Sequence, residues 1–280
     1  MILIDSNNLA YIAYYSLGEL SEGEERTGTI FGFLNIVNRI AGRFGPNMVF
    51  CFDSKTNLRK EADKEYKANR RKDMTTDEAI EMAAMHKQIT QLRREILPSL
   101  GFKNTKVKRG YEGDDIIAYY AKKYTNKTII IVSTDKDLYQ LLTKSVSIYN
   151  PRTHNIYTIK SFIKEYGVKP NKWAKVKAIA GDSSDNIKGV WKVGEKTAIK
   201  YIKGQLKTTT KAYDNIALSK EAIKGFMELV ELPYMGIDFG FKYKKNKFDR
   251  LQFIKVFDSL KFIYYLRDEQ FAKWEKNFRL

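Results

Sequence analysis

Residues 128–137 read Thr-Ile-Ile-Ile-Val-Ser-Thr-Asp-Lys-Asp, a β-branched apolar run that stops on polar residues and ends at Asp135 and Asp137. A short continuous apolar run bounded in this way has the composition of a strand buried on both faces, as in a parallel sheet. The pattern recurs twice: Ile2-Leu3-Ile4 runs into Asp5, and Val49-Phe50-Cys51-Phe52 runs into Asp53. In a parallel sheet all strand carboxyl ends lie along one edge, where open α/β sheets place their ligands. A lone strand-terminal aspartate is usually the N-cap of the next helix, and Asp5 before Ser6-Asn7-Asn8 fits that role. Three such strands bring like charges to one edge, which capping does not require.

Further strand signals fall at residues 103–107 and 146–149. Helical periodicity separates them, at 30–44, 77–100 (closed by Gly101), 114–124 and 138–143. This alternation predicts an α/β fold with a mostly parallel central sheet flanked by helices. From about Lys160 the strand signals stop, and helices are expected at 160–166, 172–180, 195–202, 217–230, 249–266 and 269–278. The expected organisation is an α/β core over 1–159 and a helical region over 160–280, packed on the core. The stretch 204–211, with Thr208-Thr209-Thr210, reads as a flexible connector.

The chain carries 50 Lys and Arg against 33 Asp and Glu, a formal charge of +17. Such a surface attracts polyphosphate, of which nucleic acid is the commonest form. Cys51 is the only cysteine, so no internal disulfide forms. His86 and His154 are too few and too far apart in sequence for a zinc site. No apolar stretch has membrane-spanning length and no secretion signal opens the chain, so a cytoplasmic location is expected, that of the host cell if a phage encodes the protein.

Against this basic background the placement of acids is informative. Besides Asp5, Asp53, Asp135 and Asp137, Glu112-Gly-Asp114-Asp115 stands at the mouth of a helix and Asp182-Ser-Ser-Asp185 at the entry to the helical half. Asp114 or Asp115 could cap its helix, and Asp182 with Asp185 alone would pass for a turn. Nine carboxylates at one edge would repel and raise one another's pKa values, a conflict that divalent cations remove. Oxygen donors without His or Cys favour Mg²⁺ or Mn²⁺. Acids in two groups suit a two-metal phosphodiesterase, with ions roughly 3.5–4 Å apart.

The ordered series Asp5, Asp53, Tyr66-Lys67-Ala-Asn-Arg70, Glu112-Gly-Asp-Asp115, Ser133-Thr-Asp-Lys-Asp137 and Gly181-Asp-Ser-Ser-Asp-Asn-Ile-Lys-Gly189 resembles the flap endonuclease and 5′–3′ exonuclease family, most of all its stand-alone phage members. The resemblance implies a structure-specific 5′-nuclease acting in replication or DNA degradation. Its first metal site would comprise Asp5, Asp53, Glu112, Asp114 and Asp115, and its second Asp135, Asp137, Asp182 and Asp185. Lys67 and Arg70, with Asp135, would be catalytic, the two bases neutralising the scissile phosphate. Tyr66 and Arg71 join Lys67 and Arg70 as DNA contacts, although core packing is an equal alternative for Tyr66. Residues 54–86, rich in Lys and Arg, would form a helical arch for a single-stranded 5′ arm. Gly113, where many relatives carry alanine, should loosen the start of its helix.

Residues 189–197 read Gly-Val-Trp-Lys-Val-Gly-Glu-Lys-Thr, which fails as a P-loop because Glu195 separates Gly194 from Lys196. It reads instead as a glycine hairpin, 189–194, of helix-hairpin-helix type. Backbone N–H groups at the following helix start can hold a DNA phosphate. The contacts expected are Lys188, Gly189, Val190, Val193, Gly194, Lys196 and Thr197, and the resemblance adds a K⁺ ion on the carbonyls of Val190 and Val193. The expected partner is DNA with a 5′ end, flap or nick, with an RNA–DNA hybrid as a variant, acted on by a monomer. The competing readings are a non-catalytic junction-binding protein and a PIN-like ribonuclease. The Lys242–Lys247 cluster is a secondary candidate for DNA contact.

Overall fold

The computed structural model describes residues 1–23, 25–71 and 75–280, without the side chains of Glu22 and Arg71. Its strands are β1 (Ile2–Asp5), β2 (Ser21–Glu22), β3 (Glu25–Arg26), β4 (Met48–Cys51), β5 (Thr105–Lys106), β6 (Ile129–Val132), β7 (Val146–Tyr149) and β8 (Ile156–Tyr157). Six of them form one sheet in the order β5-β4-β1-β6-β7-β8, while β2 and β3 make a separate ribbon. All pairings in the large sheet are parallel except β7 with β8. The chain builds outward from β1 to β4 and β5, then returns to the other side of β1 for β6. The reversal opens a crevice at the carboxyl ends of β1 and β6, and Asp5 and Asp135 stand at those two ends.

Period-two alternation divides the sheet between two cores. Leu3, Val49, Cys51 and Ile131 face one, shared with the helix Gly113–Lys123 and with Trp173, Val176 and Ile179 of the helical half. Ile2, Ile4, Met48, Phe50 and Val132 face the other, shared with the helices Ser6–Leu17 and Gly28–Phe44. The C-terminal helices Arg250–Ser259 and Asp268–Phe278 return to this second core, where Phe253, Phe257, Trp274 and Phe278 are buried among Phe33, Val37 and Ile40. The aromatic residues of the tail are therefore mostly core. Between these parts, residues 237–249 run along the β5 edge. Asn104 clamps Lys244 through both its amide groups, and Lys247 N–H donates to Gly101 C=O at 3.0 Å. This covering leaves the edge closed to further strand pairing, and the lysines of 242–247 project from the cover.

Several elements differ from expectation. The helix Ser6–Leu17 was hidden by its polar start, Ser-Asn-Asn, and Leu58–Ala62 is only five residues long, capped by Asn57 Oδ1 on Arg59 N–H at 2.9 Å. The expected helix 77–100 is α-helical over Thr76–Gln91 and widens to a π-turn over Leu92–Ile96. Pro98 gives the reason, since it offers no N–H to Arg94 C=O, and a proline ring disfavours the regular α-helical approach to the carbonyl four residues back. The helix expected over 217–230 is split at Ser219, and that over 249–266 is broken near Lys261, whose φ is +56°. Thr210, read as part of a connector, caps Lys211–Leu218. Among the described residues no helix is long and apolar enough to cross a membrane.

Gly101 carries both a positive φ of +94° and a backbone approach, since a Cβ there would lie 1.7 Å from Lys247 O. Gly101→Ala should therefore destabilise the protein by about 3 kcal/mol, through strained φ and loss of the edge cover together. Urea unfolding checks this, and a change under about 0.5 kcal/mol would show that the segment 237–249 is not held there.

Candidate active site

The acids at the carboxyl edge are positioned by different elements, and their partners sort them by role. Asp5 ends β1 and caps the next helix: Oδ1 accepts Asn8 N–H at 3.1 Å and Oδ2 accepts the Ser133 hydroxyl at 2.7 Å. Ser133 Oγ in turn accepts Asp135 N–H at 2.9 Å, so the ends of β1 and β6 are tied through one hydroxyl. Asp53 Oδ1 accepts the N–H of Gly113 at 2.7 Å. The helix accordingly begins at Gly113 itself. Asp135 Oδ1 accepts Asp137 N–H at 2.8 Å.

Asp114 is the exception. Among the described residues its carboxyl accepts no hydrogen bond and joins no ion pair. Burial, with the charges of Asp5, Asp135, Glu112 and Asp53, pushes its carboxyl well above the ordinary value. Burial and neighbouring acids also raise Asp5 to about 7, and Asp137 to about 7 despite Lys177. Asp135 is raised by burial, with the Asp185 charge adding to it. Asp53 has an exposed surface but is walled in by the crevice, and that surround with the charge of Glu112 pushes it up as well. The repulsion expected from sequence is present here.

Three basic side chains answer it. Lys67 Nζ lies 2.5 Å from Glu112 Oε1 and 3.6 Å from Asp185 Oδ2. Arg70 donates to Asp185 Oδ1 at 2.7 Å. Lys177 stands 2.7 Å from Asp137 Oδ1 and also pairs with Asp182. Burial alone would raise Glu112 and Asp182, but Lys67 and Arg59 hold Glu112 below its ordinary value, and Lys177 with Ser184 does the same for Asp182. Among the described residues no three of the acids close around one point as a ready cage. Lys67 and Lys177 stand between acids of the set instead.

Asp115 is engaged away from the other acids. It is fully buried, and Arg59 binds it in a fork, Nη1 to Oδ2 and Nη2 to Oδ1, both at 2.8 Å. Glu112 N–H donates to Oδ2 at 3.0 Å and Tyr234 N–H to Oδ1 at 2.7 Å. Both oxygens are thus saturated by protein donors. Of the two readings open for Asp114 and Asp115, Asp115 takes the capping one here, closing the capping box with Glu112. Tyr66 also departs from the base-stacking reading. It is buried, 3% exposed, with its hydroxyl 3.0 Å from Glu112 Oε2 and 3.2 Å from Asp185 Oδ2. Its single phenolic hydrogen serves one of them at a time.

Arg59 and Lys177 were missed as functional candidates. Arg59 read as one more base in a charged stretch, yet it is 2% exposed and also donates to Leu229 C=O and Glu231 C=O. It ties the basic segment to the end of the helix Lys220–Val230. Lys177 lay within an expected helix, and only its fold position shows it between two acids. Arg71 as a DNA contact lies outside the described side chains.

At the hairpin, Gly181 and Gly189 pack backbone on backbone: their φ values are +80° and +63°, and a Cβ on Gly189 would lie 2.2 Å from Gly181 N. Gly194 is different, for a Cβ there would meet open space. It precedes the helix Glu195–Ile202, which has no side-chain cap. Thr197 N–H is spent on Gly194 C=O at 3.0 Å, whereas among the described residues the N–H groups of Glu195 and Lys196 have no acceptor in the chain. Lys188 and Lys196 are exposed beside them. Val190 and Val193 are buried, and Val190 C=O already accepts Val193 N–H at 3.0 Å.

The sequence matches two family models, the 5′-3′ exonuclease N-terminal resolvase-like domain over residues 1–167 and the 5′-3′ exonuclease C-terminal SAM fold over 168–232. A 5′-3′ exonuclease of Buchnera aphidicola is 33% identical over 77% of this chain and 74% of its own. Thermostable DNA polymerase I of Thermus thermophilus is 33% identical over 83% of this chain, which spans only 28% of that polymerase. Among solved structures, T5 5′-exonuclease bound to zinc has a TM-score of 0.71 at 24% identity, covering 83% of this chain and 89% of its own. Flap endonuclease-1 from Methanococcus jannaschii has 0.62 at 18%, covering 99% and 92%. These last two likenesses establish a shared fold. With both family models matched in order, and an α/β sheet whose carboxyl edge gathers the acids, this chain belongs to the 5′-3′ exonuclease family.

Proposed function

We propose that this 5′-nuclease hydrolyses DNA phosphodiesters at the sheet's carboxyl edge with two divalent cations, Mg²⁺ or Mn²⁺. The observation that carries this reading is Asp114, a carboxylate without a protein donor in the field of Asp5, Asp53, Glu112 and Asp135. The donor set fits hard divalent cations, being all oxygen. Asp5, Asp53, Glu112 and Asp114 would hold one ion, and Asp135, Asp137, Asp182 and Asp185 the other. When bound, such ions lower the pKa of an attacking water and stabilise charge on the scissile phosphate.

The chain's own residues supply the rest. Lys67 is held largely buried beside Glu112 and Asp185, and the more exposed Arg70 is held on Asp185, so an arriving phosphate meets two cations already aimed at the acids. Exchange of their carboxylate partners for a phosphate frees acid oxygens for metal, which couples substrate binding to completion of the site. The uncapped start of the helix Glu195–Ile202 would take a phosphate of the adjoining duplex on the N–H groups of Glu195 and Lys196. Residues 54–86 would guide a single-stranded 5′ arm. A K⁺ ion at the hairpin would draw on Val193 C=O and the second lone pair of Val190 C=O. Flaps, nicks and recessed 5′ ends are the proposed substrates, with RNA–DNA hybrids to be compared against them, and the acting unit is the monomer.

A product-length map on a 5′-labelled flap with Mg²⁺ tests the proposal. Cleavage near the junction that EDTA abolishes is expected, and intact flap after long incubation with either metal would sink it. Asp135→Asn should abolish cleavage while leaving flap affinity within a few-fold of wild type. Lys67→Ala should slow the single-turnover rate by roughly 100-fold, with a smaller effect on Kd. An effect confined to Kd would make Lys67 a binding residue only.

The raised carboxyls also predict a pH dependence. Asp5 and Asp137 sit at about 7 when folded, against an ordinary value of 3.8, so the folded protein holds their protons more tightly than the unfolded chain. Their contribution to stability is therefore complete below about pH 4 and lost as pH rises toward about 7. In EDTA, Tm should fall between about pH 5 and pH 8, and Mn²⁺ should restore several degrees at the higher pH but little at the lower. An equal Mn²⁺ shift at both would exclude these acids from metal binding.

A further inference from the structure

The chain has three tryptophans, and they are not alike. Trp173 and Trp274 are each 1% exposed, whereas Trp191 is 70% exposed at the tip of the glycine hairpin. Its backbone is pinned on every side: Val190 N–H donates to Ile179 C=O at 2.8 Å, Val193 N–H to Val190 C=O at 3.0 Å, and Asn215 Nδ2 to Trp191 C=O at 3.1 Å. Val190 and Val193 on either side are buried, so the loop is anchored and the indole is thrust outward from a fixed point. The next residue, Lys192, holds a left-handed φ of +57°, a conformation that side chains other than glycine rarely adopt. Its ammonium stands 4.3 Å from the centre of the indole ring. Lys188, Lys196 and Lys200 are exposed on the same stretch, where Glu195 is the one acid between residues 188 and 200. A rigid, exposed indole among lysines and beside two unspent N–H groups matches a polyanion that also presents apolar surface. Duplex nucleic acid presents both, as phosphates and as deoxyribose and base faces.

We propose that Trp191 is a duplex-contacting residue, packing its indole against the sugar and base edge next to the phosphate held at Gly194–Lys196, with Lys192 adding a second phosphate contact. This rests on the reading of the hairpin as the duplex grip and adds a side chain to a site otherwise made of backbone. The contact is sequence-tolerant, because apolar packing against sugars and base edges reads no hydrogen-bond pattern. It favours duplex over single strand, because the anchored loop offers one fixed face and not a track.

The two buried tryptophans make the test direct, since quenchable indole emission comes from Trp191. The whole protein in EDTA, where no cleavage occurs, is titrated with an unlabelled blunt duplex while indole emission and its acrylamide quenching are followed. Fluorescence anisotropy of a labelled copy of that duplex gives an independent Kd. Emission should change along the anisotropy curve, and acrylamide access should be lost on saturation. Trp191→Ala should abolish this signal and weaken duplex binding about tenfold, with Trp191→Phe recovering most of the affinity. A single strand of equal length should leave the emission nearly unchanged.

Saturating anisotropy without any change in indole emission would overturn the proposal, as would Trp191→Ala binding duplex within about twofold of wild type. A single strand that quenches as strongly as duplex would overturn the duplex assignment. Because these readouts need no turnover, they separate from the nuclease reading. Quenching without any cleavage in Mg²⁺ removes the nuclease reading alone, and cleavage without quenching removes the role of Trp191 alone.

Discussion

Like charge crowded at the carboxyl edge of the sheet is the constraint around which the rest of this chain is arranged. Parallel strands bring Asp5, Asp53 and Asp135 together by topology, since the strand order reverses beside β1. Burial makes that crowding costly, which is why Asp5 and Asp137 keep their protons to about 7. The folded chain relieves it with what it has: Lys67 and Arg70 from the basic segment, and Lys177 from the helical half. An excess of basic residues over the whole chain and a cluster of acids at its centre are thus two aspects of one electrostatic arrangement.

Arg59 and Asp115 carry a different share of that arrangement. Their forked, fully buried ion pair is satisfied at every oxygen, and Arg59 also closes the carbonyls of Leu229 and Glu231. Removing one partner of such a pair costs about 3–5 kcal/mol, because the other charge is left buried and alone. Asp115 also receives Glu112 N–H, so it orients the first turn of the helix that displays Asp114. Saturating Asp115 leaves Asp114, its neighbour, as the carboxylate that faces the other acids without a donor.

This is where the sequence could and could not be read. Asp5, Asp53 and Asp135 were legible because a strand's apolar run announces its end and parallel topology dictates where that end goes. Asp114 and Asp115 were not separable, because adjacent helical residues point about 100° apart and only a partner 56 positions away decides which one faces the crevice. Arg59 and Lys177 were illegible for the converse reason: a basic residue in a basic stretch looks solvated until the fold supplies a carboxylate. The same holds for the π-turn at Leu92–Ile96, where Pro98 reshapes the helical period without ending it. Trp191 carries no periodic signal at all, and its exposure follows from an anchored loop.

Besides the Arg59 contacts, the basic segment and the helical half meet at a clasp beside Asp185. Lys67 N–H donates to Asp185 C=O at 2.8 Å, Asn69 Nδ2 to Ser183 C=O at 2.7 Å, and Asn186 Nδ2 to Glu65 C=O at 2.8 Å. From Asp182 the chain pairs back on Ile187 and enters the hairpin through the backbone contact of Gly181 with Gly189. Backbone groups and short asparagine side chains make up this route. Under the proposed function, a phosphate at Gly194–Lys196 would be placed relative to Asp185 through this backbone route. Lys67 bridges Glu112 of the α/β core and Asp185 of the clasp, while Arg70 pairs with Asp185. On that reading a duplex on the hairpin would take its position relative to the acids from the backbone. The phosphate that reaches the carboxylates would meet Lys67, held between Glu112 and Asp185, and the more exposed Arg70.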